Sequence, residues 1–277
     1  MIDFDAIKTV ADITRAQAKA RPQDVAHVFE GRETSYAELD TRANQVAQGL
    51  IADGCKPDAR IGFMGKGSDL YFEMLYGAFK AKAVVVGVNW RLAPPEVTYV
   101  LNDSKTEILF VSEDFYPIIE QVKKDCPSLR KVIALDGGHG AWPSFTEWRD
   151  SFEAKDPQLP VDDNDDVIQL YTSGTTGHPK GVQLTNGNYI SILRQGVEAG
   201  WADWHEGEVN LVCMPLFHVA GVNIGMIGNA HGCKNVILKD VDPQAILKLI
   251  ETYRINIAFM VPAVILFLLQ QPNIGGI

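Results

Sequence analysis

Ile61-Gly62-Phe63-Met64, then Phe72, Leu75 and Phe79 at helical spacing, then the unbroken run Val84-Val85-Val86-Gly87-Val88: this stretch sets the fold class of a 277-residue chain. A short apolar strand, a helix with apolar residues every three or four positions, and a second strand that is apolar throughout make a βαβ unit whose second strand is buried on both faces. The alternation extends in both directions. Upstream, Thr34-Ser35 with Glu38 forms a capping box, and Leu39, Ala43, Val46 and Leu50 keep helical spacing until Gly54 ends the helix. Downstream the pattern predicts a Pro-initiated helix over 95–101, a strand over 108–111, a helix over 115–124 and a strand over 132–135. It resumes with a strand over 167–171, a helix opened by Thr185 over 186–195, and strands over 210–213 and 236–238. Asp242-Pro243 then caps a helix through Tyr253, and a strand over 257–260 precedes a helix begun by Pro262. The expected fold is α/β, with parallel sheets flanked by helices. Between the two halves, residues 136–166 break the rhythm with Gly137-Gly138, three prolines and the cluster Asp162, Asp163, Asp165 and Asp166. They read as a surface connection, and the aspartates as a solvated charge run rather than a cation site.

Composition excludes several classes of function. At 46% hydrophobic and 22% charged residues the chain is globular, and its net charge of −10 disfavours non-specific binding to nucleic acid or anionic lipid, so an anionic ligand has to be held locally. Cys55, Cys126, Cys213 and Cys233 are too scattered for a metal knuckle or a disulfide framework and read as buried thiols. MIDFDAIKTV lacks the basic-then-apolar order of a secretory signal, which makes the cytoplasm the default compartment. The apolar stretch 257–269 is short of the roughly 20 residues a membrane span needs, and reads as a buried strand running into a buried helix.

The chemistry is concentrated in Tyr171-Thr172-Ser173-Gly174-Thr175-Thr176-Gly177-His178-Pro179-Lys180-Gly181-Val182, directly after an apolar strand. Three glycines let backbone N–H groups approach an oxyanion, hydroxyls add donors, and a lysine adds charge, which are the parts of a polyphosphate cradle. The spacing of Gly174, Gly177 and Lys180 does not satisfy G-x-x-x-x-G-K-[ST], so an ordinary P-loop nucleotide triphosphatase is disfavoured. A Ser/Thr/Gly-rich surface turn is the plain alternative.

The whole string resembles the phosphate-binding signature Y-T-S-G-T-T-G-x-P-K-G-V of the adenylate-forming enzymes, a superfamily that includes acyl-CoA synthetases, luciferase and the adenylation domains of peptide synthetases. Two further stretches follow in the family's order. Lys80-Ala81-Lys82-Ala83-Val84 through Asn89-Trp90-Arg91-Leu92 is similar to the mainly structural K-A-G-A…N-x-R-L segment, with Lys82-Ala83 departing from the usual small pair. Met214-Pro215-Leu216-Phe217-His218-Val219-Ala220-Gly221 resembles the P-L-F-H-x-x-G segment of acyl- and aryl-CoA synthetases, and Val261-Pro262-Ala263 a V-P-x element beside the acyl pocket.

The resemblance implies an ATP-dependent carboxylate–CoA ligase with ATP, Mg²⁺ and CoA as cofactor and co-substrates. It implies phosphate binding by Thr172, Ser173, Gly174, Thr175, Thr176, Gly177 and Lys180, and an acyl pocket at Phe217, His218 and Gly221. Outside that context His218 would read as a core histidine. His218 stands where peptide-synthetase domains carry an aspartate, which argues against an amino acid substrate. The family's Y-G-x-T-E-type segment, ribose aspartate and lid domain with the adenylation lysine are not found, so the chain is expected to be an incomplete N-terminal ATP/acyl-binding domain over 1–277, inactive alone, with an unpaired sheet edge that favours a homodimer. The alternatives are a non-catalytic nucleotide- or acyl-binding module, an assembly partner, or an adenylating enzyme with an acceptor other than CoA.

Overall fold

The computed structural model describes residues 2–172, 177–272 and 274. In chain order the strands are β1 (Val25–Phe29), β2 (Arg32–Ser35), β3 (Arg60–Met64), β4 (Val84–Gly87), β5 (Ile108–Val111), β6 (Lys131–Ala134), β7 (Asp166–Thr172), β8 (Lys180–Thr185), β9 (Val209–Val212), β10 (Lys234–Ile237) and β11 (Ile257–Ala258). The helices are α1 (Asp12–Ala20), α2 (Tyr36–Ala52), α3 (Asp69–Lys80), α4 (Pro94–Asp103), α5 (Tyr116–Val122), α6 (Phe145–Asp150), α7 (Asn186–Glu198), α8 (Val219–His231), α9 (Pro243–Tyr253) and α10 (Pro262–Leu269). They build two sheets, one ordered β11-β9-β10-β1-β2 and the other β6-β5-β3-β4-β7-β8.

The larger sheet follows from its sequence. β4 and β5 are buried at every position, and successive side chains enter different cores: Val85 and Phe110 join the core that reaches the second sheet, while Val86, Leu109 and Val111 join the core under α4 and α5. Alternation across two covered faces is why these strands are apolar throughout. Each such valine or isoleucine contributes roughly 1.5–3 kcal/mol by burial. α2 carries the expected capping box, with Ser35 accepting from the Glu38 N–H and Glu38 from the Ser35 N–H. α3 lies between the sheets, touching β4 of one and β1 of the other, and is buried on all sides except at Leu70.

Several polar groups inside this sandwich are paired, although His27 Nδ1 and Asn210 Oδ1 have no hydrogen-bond partner. The ammonium of Lys80, fully buried, donates to Asp40 and to Asn44 Oδ1 at 2.5 Å each and lies 3.5 Å from Asp156, which is also held by a two-pronged hydrogen bond from Arg15. Burial acts to raise the Asp156 carboxyl, but the Arg15 hydrogen bond and the Lys80 charge hold it at about 2. Glu73 accepts from Arg42 and Arg149, yet burial still raises its carboxyl above the usual range. Between β1 and α8, His27 and Asn229 are hydrogen-bonded at 3.1–3.2 Å, and Asn229 continues to Tyr76 and Asn235. Burial drives the His27 imidazole down to about 4.

Several expectations are refined. The sheets are parallel except for the antiparallel pairs β1–β2 and β7–β8. Residues 136–166, expected as a surface connection, also contain α6, whose Phe145 and Trp148 are buried in the main core, and Asp156 of the same segment is tied to Lys80. The reading of 257–269 as a buried strand running into a buried helix is corrected: β11 is only Ile257–Ala258 and is not buried, and in α10 only Val264 and Leu268 are buried while Ile265, Leu266, Phe267 and Leu269 are 45–60% exposed. The four cysteines are free and buried. Among the described residues no helix is long and apolar enough to cross a membrane.

Candidate functional site

The signature segment joins the antiparallel pair β7–β8. Thr172 and Lys180 face each other in the ladder at the carboxyl end of β7, as do Tyr171 and Gly181. Of the candidate phosphate-binding residues, Thr172, Gly177 and Lys180 are described and exposed, and Gly177 has φ +98°, a left-handed conformation that favours glycine. Ser173, Gly174, Thr175 and Thr176 lie outside the described residues.

The base of the hairpin is fixed by a polar relay. Arg60 donates to Gln169 Oε1, Gln169 Nε2 to the Tyr171 hydroxyl, and Tyr171 to Asp103 at 2.6 Å. Burial, helped by the hydrogen bond to Asp103, raises the Tyr171 phenol and keeps it a neutral donor. A Cβ at Gly181 would stand 2.3 Å from Gln169 Nε2 and would push that amide out of the relay. The returning limb is propped by α4: the Tyr99 hydroxyl donates to the Pro179 carbonyl at 3.1 Å, and the His178 ring stacks on Tyr99 at 5.0 Å. Sequence reasoning missed Tyr99. The available signal was its place on α4 away from the core positions Val97, Val100 and Leu101.

The second motif lies beside the first. β4 and β7 are neighbours, with Gly87 opposite Leu170, and the backbone of Phe217 packs on Gly87 so closely that a Cβ there would meet Phe217 O at 2.9 Å. Phe217 meets Trp90 edge-on at 6.3 Å, and the Arg91 guanidinium lies 4.5 Å from the Trp90 ring centre and 5.8 Å from that of Phe217. Trp90 and Arg91 thus join the site, although the sequence assigned their segment a structural role. His218 is exposed and not a core histidine: it is the N-cap of α8, with Nδ1 accepting from the Ala220 N–H at 3.4 Å. With Nδ1 accepting, the neutral ring carries its proton on Nε2. Gly221 lets the first turn of α8 settle onto the preceding loop, since a Cβ would stand 2.3 Å from Pro215 O and 2.4 Å from Met214 O.

One residue past His218, Val219 begins the wall of a pocket of about 160 Å³, completed by Leu184 of β8, Asn188, Tyr189 and Ile192 of α7, and Asn223 of α8. The α7 residues were not anticipated. The pocket shares β8 with the hairpin and α8 with the Phe217–His218 turn. Among the described residues no group of three or more His, Cys, Asp or Glu side chains converges as a metal site.

Comparison with known proteins gives the family and the fold. The AMP-binding enzyme family model matches residues 14–275. A fatty acid–[acyl-carrier-protein] ligase from Streptomyces coeruleorubidus is 34% identical over 98% of this chain and 51% of its own length. A long-chain-fatty-acid–CoA ligase from Mycobacterium tuberculosis is 29% identical over 96% of this chain and 52% of its own. Among solved structures, the inhibitor-bound N-terminal domain of FACL13 from Mycobacterium tuberculosis superposes with a TM-score of 0.87 at 28% identity, covering 96% of this chain and 66% of that one. The chain spans about half the length of the curated relatives it matches.

Proposed function

This chain belongs to the AMP-binding enzyme family, and on that premise we propose that the polypeptide containing it is an ATP-dependent acid–thiol ligase. A carboxylate oxygen attacks the α-phosphorus of ATP, the bond to the β-phosphate bridging oxygen breaks, and pyrophosphate leaves. A thiol then attacks the acyl carbon of the mixed anhydride and AMP leaves. The observation that supports this reading is the Thr172–Lys180 end of the β7–β8 ladder beside the Phe217–His218 turn, which packs on Gly87 of the neighbouring strand β4.

In this reading the backbone and hydroxyls of Thr172, Ser173, Gly174, Thr175, Thr176 and Gly177 hold the phosphates, and Lys180 neutralises charge on the departing pyrophosphate. The relay through Gln169, Tyr171 and Asp103 and the Tyr99–Pro179 hydrogen bond keep both limbs of the hairpin rigid, so the donors need not reorganise as charge develops. His218 Nε2–H, with Phe217 beside it, orients the carboxylate end of the acid, and Gly221 sets the start of α8 against that end. Magnesium supplies charge neutralisation when it enters with the nucleotide, on whose phosphates it is usually carried. ATP and a thiol acceptor fit a cytoplasmic setting. CoA is the proposed acceptor; a carrier-protein thiol is the second reading, favoured by the acyl-carrier-protein ligase among the relatives.

The test is carboxylate-dependent exchange of labelled pyrophosphate into ATP by the longer polypeptide, run against a panel of aliphatic and aromatic acids, followed by thiol capture with CoA and with a phosphopantetheinylated carrier protein. Exchange that depends on an acid supports the ligase, and the thiol that is acylated identifies the acceptor. Saturable ATP binding with no exchange for any acid would leave the non-catalytic binding module in its place.

A further inference from the structure

Three asparagines lie between the smaller sheet and α8, all fully buried: Asn210 of β9, Asn235 of β10 and Asn229 of α8 itself. Asn210 Nδ2 donates to the Ile224 carbonyl at 3.1 Å and to Asn235 Oδ1 at 2.7 Å, and Asn235 Nδ2 donates to the Gly225 carbonyl at 3.0 Å and to Asn229 Oδ1 at 2.6 Å. Ile224 and Gly225 are inside α8, where a carbonyl already accepts from the N–H four residues on, so the asparagine bonds are second bonds that the helix does not need in order to form. Burying two amides costs desolvation that an apolar pair would avoid, and what their bonds supply in return is direction. α8 meets them through glycine: a Cβ at Gly228 would stand 2.2 Å from Asn235 Oδ1 and 2.9 Å from Asn210 Nδ2.

We propose that Asn210 and Asn235 are positioning residues for the turn that carries Phe217 and His218. β9 runs into that turn and the turn into α8, and the Asn210–Ile224 bond ties its two limbs together across 14 positions of chain. Bonds to two neighbouring carbonyls fix how far α8 is rotated about its axis, where a slip of one residue would be a turn of about 100° and a rise of ~1.5 Å. His218 caps the same helix, so its ring moves with that rotation. Val222 and Met226 hold α8 to the core by apolar burial, which is non-directional and does not specify the angle. That the turn meets an acid rests on the ligase reading above; the placing of the turn by the two amides does not.

The test compares Asn210→Ala and Asn235→Ala with Ile61→Val, a core change in the other sheet. In this chain, amide hydrogen exchange is followed by NMR at Gly221 and Val222, which donate to the His218 carbonyl, and at Val85 and Val86 of β4. Both asparagine variants are expected to speed exchange at Gly221 and Val222 at least about fivefold relative to β4, and Ile61→Val to leave that ratio unchanged. In the longer polypeptide the asparagine variants should raise KM for the acid at least about fivefold while KM for ATP stays within about twofold, a split that general loosening of the fold would not produce. Asn210→Ser or Asn235→Ser is read in place of an alanine variant that does not fold. Exchange at Gly221 and Val222 that follows β4, or KM values for acid and ATP that rise together or not at all, overturns the proposal. A parent with no acid-dependent pyrophosphate exchange refutes the ligase reading instead, and hydrogen exchange alone then decides the placing of the turn.

Discussion

Replacing Gly221 by alanine asks whether the turn that carries Phe217 and His218 is as tightly built as its contacts indicate. The added methyl would lie 2.3 Å from Pro215 O, 2.4 Å from Met214 O and 2.7 Å from Pro215 C, all of them backbone atoms. Ordinary carbon contacts sit near 3.5–4.0 Å, so the first turn of α8 or the 214–215 loop has to give by about 1 Å. Neither moves freely. The loop continues into β9, whose Val212 and Leu211 are buried, and α8 is seated on the core through Val222 and Met226. Overpacking of this kind costs ~1–3 kcal/mol, and rigid backbone on the receiving side puts the expectation near the upper end. At roughly 2–4 °C per kcal/mol for a chain of this size, the melting temperature should fall by about 6–12 °C. Calorimetry of Gly221→Ala is read against Gly138→Ala, where the nearest atom to the new methyl is 3.5 Å away and no loss is expected. A melting temperature for Gly221→Ala within about 1 °C of the parent would refute the claim that the turn is held by close backbone approach.

Lys180→Ala in the longer polypeptide should lower acid-dependent pyrophosphate exchange at least about tenfold with little change in melting temperature, since the side chain is exposed; unchanged exchange removes Lys180 from the phosphate site. Lys80→Ala strips the buried cation from Asp40, Asn44 and Asp156 and should cost about 3 kcal/mol in urea unfolding, the low end for a broken buried pair because both carboxylates keep other partners. His27 is held neutral with a folded-state value of about 4 against an ordinary 6.5, so the unfolded chain binds the extra proton and stability falls as pH drops from about 6.5 towards 4. His27→Gln should flatten that part of the urea-midpoint profile; a parallel profile would show that other groups set it. The exposed apolar face of α10, with Phe259 and Val261 before it, should make the chain self-associate in sedimentation velocity, and Leu266→Lys with Leu269→Lys should reverse this. Monomer at all concentrations would count against that face as a contact surface.

The parts of the fold that could be read from sequence are those where burial on two faces leaves an unmistakable apolar run. β3, β4 and β5 fall within a residue of their expected positions, and the capping residues Ser35, Thr185 and Asp242 mark helix starts that the structure contains. α8 was illegible for a physical reason. Its Gly221, Gly225 and Gly228 argue against a helix by propensity, yet a Cβ at 225 or 228 would stand 2.3 Å from Phe72 or 2.2 Å from Asn235, so close packing outweighs propensity. β8 was hidden because it pairs antiparallel at the sheet edge with exposed Lys180, Val182 and Gln183, and so lacks an apolar run. The candidate site followed the same division. Motif residues could be named from sequence, whereas Tyr99 of α4, Tyr189 of α7 and Trp90 and Arg91 in the turn after β4 enter the site only through contacts made on folding.

The pairing of β1 with β10 also bears on how the protein is made. His27 lies opposite Asn235, so the strand that anchors the smaller sheet is synthesised about 200 residues before its partner. At roughly 5–20 residues per second, β1 waits on the order of 10–40 s on the ribosome. Over that interval the hairpin β1–β2 has one satisfied edge and one open one, while β3 to β7 can already close among themselves. Assembly is thereby ordered in time, with the six-stranded sheet formed first and the five-stranded sheet completed on it.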